Sequence, residues 1–216
     1  MCGRFVRFRS WADLRRTLTL LSPSPVDLPP SYNVAPTQQI LVARENQEPA
    51  VMRWGLIPSW AKDKKAPQIN ARADTVASKP MFRSAFKKRR CLVLADGYYE
   101  WKTIGKQKQP YYFRLKHDEA FTFAGIWEEW HGDGETLETC AIITTDANDM
   151  AKDVHNRMPV ILTGDEALAW IDPTNEDAGK LLRPYDSEKM TCFEVNPIVG
   201  NVRNNSPDCI KPVEAA

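Results

Sequence analysis

The most reactive position in this sequence of 216 residues is its second. Met1-Cys2-Gly3 puts a small residue after the initiator methionine. Loss of Met1, to a methionine aminopeptidase or by self-processing, would leave Cys2 with a free α-amine and a thiol on adjacent carbons. Ordinary pKa values of about 8 and about 8.5 give such a 1,2-aminothiol usable nucleophile near neutrality. Its amine condenses with an aldehyde to a Schiff base, and its thiol then closes a five-membered thiazolidine, an intramolecular step with a large effective molarity. An interior cysteine cannot do this, because its nitrogen lies in a peptide bond. The same group would also serve as an N-terminal nucleophile hydrolase, and spacing alone leaves open a cysteine with neither role. Glu100 is the second chemical oddity, a carboxylate between aromatic residues in Tyr98-Tyr99-Glu100-Trp101. Either it faces solvent or it is partly buried, which would raise its pKa and suit it to proton transfer. The five cysteines form no CxxC pair and the three histidines, His117, His131 and His155, do not cluster. No metal and no cofactor is therefore expected.

The elements that must position these groups read mostly as strands. Ile40–Ala43 and Ala50–Trp54 form a pair around a polar turn, and Cys91–Ala95, apolar throughout, reads as a central strand. Asp96-Gly97 turns the chain into an extended Tyr98–Trp101. Tyr111–Leu115, Phe121–Trp127, Thr139–Thr145, Val160–Leu162 and Cys192–Val195 complete the strand set. Helices are expected after Ser10, with Trp11, Leu14, Leu18 and Leu21 on one face, and over Pro80–Lys87 with Ser78 as N-cap. Others are expected over Asn148–Asp153, Asp165–Ile171 and Glu176–Leu182. Ser22-Pro23-Ser24-Pro25 and Pro29-Pro30 read as a surface loop. Strands beside strands without βαβ alternation predict an α+β fold, with a largely antiparallel, strongly curved sheet core and short flanking helices. One domain over residues 1–216 is expected.

No apolar run suits a membrane span and the N-terminal residues do not resemble a signal peptide. A cytoplasmic protein with reduced thiols is expected. The net charge of +1 hides a division. Residues 1–116 hold 22 Lys and Arg against 8 Asp and Glu, whereas residues 117–216 hold 7 against 20. Either a basic face meets a polyanion such as nucleic acid, or the halves attract one another in the fold. Lys87-Lys88-Arg89-Arg90 poses the same choice locally, between a phosphate contact and a favourable helix C-terminus.

Met1-Cys2-Gly3-Arg4-Phe5 resembles the start of the SOS-response-associated peptidase family, the abasic-site processing proteins that crosslink to damaged single-stranded DNA. The resemblance spans nearly the whole chain. It runs through Tyr32–Thr37, Arg53–Pro58, Ile69–Thr75, Arg90–Lys102, Ala124–Glu128, His155–Val160 and Val199–Val202. It implies that Cys2 captures the ring-opened aldehyde of an abasic site as a thiazolidine, with associated lyase-like chemistry. It implies that His155, in His155-Asn156-Arg157-Met158-Pro159, is the general acid at the sugar ring oxygen. Glu100 would do acid–base work on the Schiff base, and Asn70 would orient the opened sugar or the adduct. Arg4, Arg72 and Arg157 would contact phosphates, Asn33 would touch DNA, and Trp60 would splay the strand beside the lesion. The implied partner is single-stranded DNA containing abasic sites, bound by a monomer. The chain departs from the family pattern in two places: Asp74 stands where glutamate is common, and Ala61 where some relatives carry a second tryptophan. A thiol peptidase, with Cys2 as nucleophile and His155 as base, and a non-catalytic single-strand binding module are the two rivals.

Overall fold

The structure, a computed structural model, describes residues 2–17 and 28–213. Strands dominate, as the short apolar runs predict. In chain order they are β1 (Phe5–Arg7), β2 (Ser31–Val34), β3 (Gln39–Ala43), β4 (Pro49–Trp54), β5 (Asn70–Arg72), β6 (Arg90–Ala95), β7 (Gly97–Ile104), β8 (Gln107–Leu115), β9 (Phe121–Gly132), β10 (Glu135–Asp146), β11 (Arg157–Pro159), β12 (Ile161–Leu162) and β13 (Met190–Glu194). Three short α-helices flank them: α1 (Trp11–Thr17), α2 (Arg83–Lys88) and α3 (Gly164–Ile171). No helix among the described residues is long and apolar enough to cross a membrane.

One sheet runs β13-β8-β7-β1-β2. The larger one runs β11-β10-β4-β3-β6-β9-β12, with β5 added to β10. Because β9 and β10 also pair, β10-β4-β3-β6-β9 closes on itself as a ring, which removes its free edges. Of the described pairings, only β10 with β4 and β10 with β5 are parallel. The ring draws strands from both charge halves, so the chain folds as one α+β unit.

Strand alternation assigns side chains to two cores. Cys91, Val93 and Ala95 of β6, and Cys140 and Ile142 of β10, pack with Cys2, Phe5, Tyr98 and Phe113 in a core shared by the ring and the five-stranded sheet. Leu92, Leu94, Ala141 and Ile143 point the other way, onto Trp11, Leu14, Ala85 and Trp170 of the helices. Gly125 of β9 lies between the first set's thiols. The Sγ atoms of Cys91 and Cys140 meet at 3.6 Å, and a Cβ at position 125 would sit 2.9 Å from one and 3.3 Å from the other.

Several helix expectations are corrected. The Asn148–Asp153 and Glu176–Leu182 segments hold single 3-10 turns, Ala151–Asp153 and Ala178–Leu181. Asn148 Oδ1 accepts from the Ala151 N–H at 2.8 Å and Asn175 Oδ1 from Asp177 at 2.9 Å, local bonds that compete with an α-helical start. The helix expected over Pro80–Lys87 begins at Arg83, because the Ser78 hydroxyl donates to the Thr75 carbonyl and caps nothing. Ser10 does cap α1, its hydroxyl accepting from the Asp13 N–H at 3.2 Å. Leu18, Leu21 and Ser22–Pro25 lie outside the described residues. Strands β1, β2, β5 and β11, of three or four residues each, carry too little pattern to be read in advance.

Candidate active site

β1 lies between β2 and β7, with Phe5 opposite both Val34 and Tyr98. This antiparallel register carries the N-terminal residues along β7 towards Glu100. The Tyr99 N–H donates to the Arg4 carbonyl at 3.0 Å and extends the pairing past Phe5. On β7, Tyr98 and Glu100 share the face that packs with Cys2, whereas Tyr99 faces a separate small core with Val6, Tyr112 and Val199.

The third side of the site comes from β10, which holds β5 and β11. Ile142 pairs with Asn70, Thr144 with both Arg72 and Pro159, and Asp146 with Arg157. Asn70 and Arg72 flank buried Ala71 and so share one face, as their spacing predicts for a strand. Asn70 Nδ2 donates to the Cys2 carbonyl at 2.9 Å, tying the N-terminal segment to the ring across 68 positions. Its Oδ1 is buried with no hydrogen-bond partner among the described residues, an acceptor beside Cys2.

Burial sets the electrostatics. Cys2 is 0% exposed, and burial, with the neighbouring Glu100 carboxylate, pushes its thiol above the ordinary range. Glu100 is 4% exposed, which settles the choice between solvent and interior. Burial raises its pKa against the opposing influence of His155. His155 Nδ1 meets the Arg157 N–H at 3.0 Å and the Arg157 carbonyl at 3.3 Å, so the backbone of residue 157 fixes the ring. Arg4, Glu100 and His155 line one cleft of roughly 400 Å³. Trp101 and Lys108 line it too. Nothing in the sequence around Lys108 marks it; the β7–β8 register, which pairs it with Thr103, brings it there.

The remaining expected residues divide by what holds them. Arg72 makes a two-point bond to Asp74, Nη2 to Oδ2 at 2.6 Å and Nε to Oδ1 at 3.1 Å. The shorter acid at position 74 therefore still supports it, and Arg72 stays exposed. Arg157 is buried, with Nη1 on Asp146 at 2.7 Å and Nη2 on the Thr144 carbonyl at 2.6 Å. Arg4 donates from Nη1 to Asn33 Oδ1 at 2.8 Å and to the Val199 carbonyl at 2.9 Å. Asn33, expected at the DNA, is 1% exposed. Its amide reaches the carbonyls of Val199, Asn201 and Asn204 at 2.8–3.1 Å, so its side chain works inside the fold, fixing that loop and Arg4. Trp60 stands 67% exposed on the turn after β4, in a groove with Ile57 and Met81 rather than in the cleft. His131 is exposed on the β9–β10 hairpin beside Glu129 and Thr136. His117 lies in a left-handed turn at φ 60°.

The arrangement brings the thiol of residue 2, a buried carboxyl, an imidazole and an amide together. The profile of the SOS response associated peptidase (SRAP) family matches residues 1–202. Similar proteins include the abasic site processing protein YoqW of Bacillus subtilis (strain 168), 42% identical over 222 residues, covering 98% of this chain and 99% of that protein. The abasic site processing protein HMCES of Gallus gallus is 38% identical over 227 residues, covering 86% of this chain and 67% of its own. A crystal structure of a protein from Bacteroides thetaiotaomicron superposes with a TM-score of 0.89 at 31% identity, covering 98% of this chain and all of that one. With its fold and all but its last residues matched in this way, the chain belongs to the SOS response associated peptidase family.

Proposed function

We propose that the protein processes abasic sites in single-stranded DNA by covalent capture through Cys2. The observation that carries this reading is the tether from Asn70 to the Cys2 carbonyl, which holds the N-terminal segment in a site shared with Glu100 and His155. The abasic-site names of the relatives support it.

An abasic sugar is mostly a closed hemiacetal. His155, acting as the imidazolium, gives its Nε2 proton to the ring oxygen, and the C1′ hydroxyl proton returns through water to the imidazole, which frees the aldehyde. Once Met1 is gone, the Cys2 amine adds to C1′ and, with a proton from the Glu100 carboxyl, water leaves, giving a protonated Schiff base. The Cys2 sulfur then attacks the same carbon. Its thiol proton passes to Glu100, the C=N π pair moves to nitrogen, and a neutral thiazolidine ring closes. The net change is one aldehyde plus one aminothiol to one thiazolidine plus one water. The Schiff base also acidifies the neighbouring C2′–H, which admits lyase-like strand scission. Exposed Arg72 faces incoming phosphate, and Trp60 offers a stacking surface along the strand. Every one of these groups comes from one chain, so a monomer in the cytoplasm suffices.

The test is a denaturing gel of the Met1-free protein, verified by intact mass, with single-stranded DNA carrying one abasic site. A heat-stable adduct is expected for the native protein and none for Cys2→Ser. An equal adduct in the variant, or DNA mapped by mass spectrometry to a lysine, overturns the reading. Cleavage of unrelated peptides, indifferent to DNA and abolished by Cys2→Ala, would establish the hydrolase instead.

A further inference from the structure

The fold neutralises part of the charge asymmetry. Arg44 pairs with Glu138, Lys64 with Glu135 and Arg89 with Glu128, each joining the basic half to the acidic half. Arg90 is consumed as well, donating to the carbonyls of Trp170 and Asp172. Lys87 and Lys88, which open the basic run, are not. Arg83, Lys87 and Lys88 are exposed on α2 and make no ion pair among the described residues. Helix chemistry explains two of them, since cations suit a C-terminal turn. It does not explain Arg83, which opens the helix, where a cation is disfavoured and no acid offsets it. Arg83 also stands four residues before Lys87, a like-charge spacing that weakens a helix.

These three cations line a cavity of roughly 710 Å³ between α2 and the Pro173–Ala178 segment. Phe86 gives it an apolar wall, and Glu176 is the single carboxylate on its rim. Ala77 also borders it. Ala77 belongs to the turn that begins at Arg72, whose carbonyl accepts from Val76 at 2.8 Å. The exposed arginine beside the candidate site and this basic cavity are thus joined by one short turn.

We propose that the α2 cavity binds the phosphodiester backbone of the DNA strand beyond the lesion, as a second anchor that is remote from the chemistry. The inference rests on the reading that single-stranded DNA is the substrate. Recognition is by charge on successive phosphates, with the Phe86 wall against sugar, and is independent of sequence.

The experiment compares the native protein with the triple variant Arg83→Ala, Lys87→Ala, Lys88→Ala. Binding of an undamaged single strand of about thirty nucleotides is measured across salt concentration. Covalent capture is measured separately on an abasic strand of about three nucleotides, with one nucleotide on each side of the lesion. Loss of three phosphate contacts lowers the slope of log K against log salt by about 2, and the affinity at 0.1 M salt by about 100-fold. Capture of the short strand is expected unchanged, which also shows that the variant folds. An unaltered slope on the long strand overturns the proposal, and so does an equal loss of capture on the short one. Tighter native binding of RNA than of DNA of the same length overturns the assignment of the occupant. Failure of the native protein to capture abasic DNA at all would sink the proposed function. The undamaged-strand slopes would still report on α2.

Discussion

The Asn70 amide is the most direct handle on how the fold aims its N-terminus. Nδ2 donates to the Cys2 carbonyl at 2.9 Å, and the neighbouring Oδ1 makes no bond among the described residues. Asn70→Ala deletes one amide–carbonyl bond, worth about 0.5–1.5 kcal/mol net. It also removes an orphaned acceptor, which offsets part of the cost of leaving the Cys2 carbonyl without this donor, so the net cost to stability is expected within that range. The cost to reaction is different. The amide fixes the nucleophile's position, and that advantage is lost as rate, by about 10-fold for about 1.4 kcal/mol. Asn70→Asp is the harsher variant, although it is nearly isosteric. It turns a carboxylate oxygen towards a carbonyl oxygen, leaves the Cys2 carbonyl unpartnered at a cost of about 1–3 kcal/mol, and adds a second negative charge near Glu100. Its rate is expected to fall about 100-fold. The assay is single-turnover crosslinking at saturating abasic DNA, with binding to undamaged DNA measured alongside. Both variants are expected to bind undamaged DNA like the native protein. Crosslinking rates within twofold of native for both, or Asp faster than Ala, would refute the positioning argument.

Glu100→Gln is expected to slow ring closure and to alter the dependence of stability on pH. A buried carboxyl with a raised pKa favours folding most below its unfolded value near 4.3, and that contribution is lost as pH climbs through the folded value. Thermal unfolding of the Gln variant should therefore decline less between acid and neutral buffer than that of the native protein. His155→Asn keeps an acceptor near the position of Nδ1 for the Arg157 N–H but removes the proton carrier. Its melting temperature is expected close to native while crosslinking falls about 100-fold. Gly125→Ala forces a methyl against Cys91, Val93 and Cys140 and should cost about 1–3 kcal/mol in denaturant unfolding, with partial rescue by Cys91→Ala. The Cys2→Ser protein should still yield a covalent adduct when borohydride is present to reduce the Schiff base. If it yields none, the amine-first order of bond formation is wrong.

How much of this was legible depended on whether the controlling contact is local. The chemistry proposed for Cys2 follows from its bonds alone, and the oddity of Glu100 from its aromatic neighbours. The unbroken apolar run Cys91–Ala95 marks a central strand, and β6 does stand between β3 and β9 with a buried core on each face. Arg4 and Asn33 illustrate the opposite case. Arg4 was expected at a phosphate, yet its guanidinium bonds a carbonyl 195 residues away, and Asn33 reaches carbonyls 166 to 171 positions along the chain. No local pattern encodes such partners. β5 and β11 are equally hidden. Three residues have no periodicity, and these two exist as strands because β10 pairs with both of them along its second half.

The burial of Cys2 constrains the order of events in the proposed reaction. Burial and the neighbouring carboxylate push the Cys2 thiol up, which disfavours an opening attack as thiolate. The amine is not so restrained, since it attacks in its neutral form, which burial favours. Once water leaves, the Schiff base carries a positive charge beside Glu100. That charge stabilises the carboxylate and lowers the cost of ionising the thiol next to it, so the barrier to sulfur attack falls only after the first bond has formed. The desolvation that disfavours the free thiolate thus becomes, with an iminium in place, the condition that makes ring closure fast. The product is neutral, and a neutral ring is what a buried site of this kind retains best.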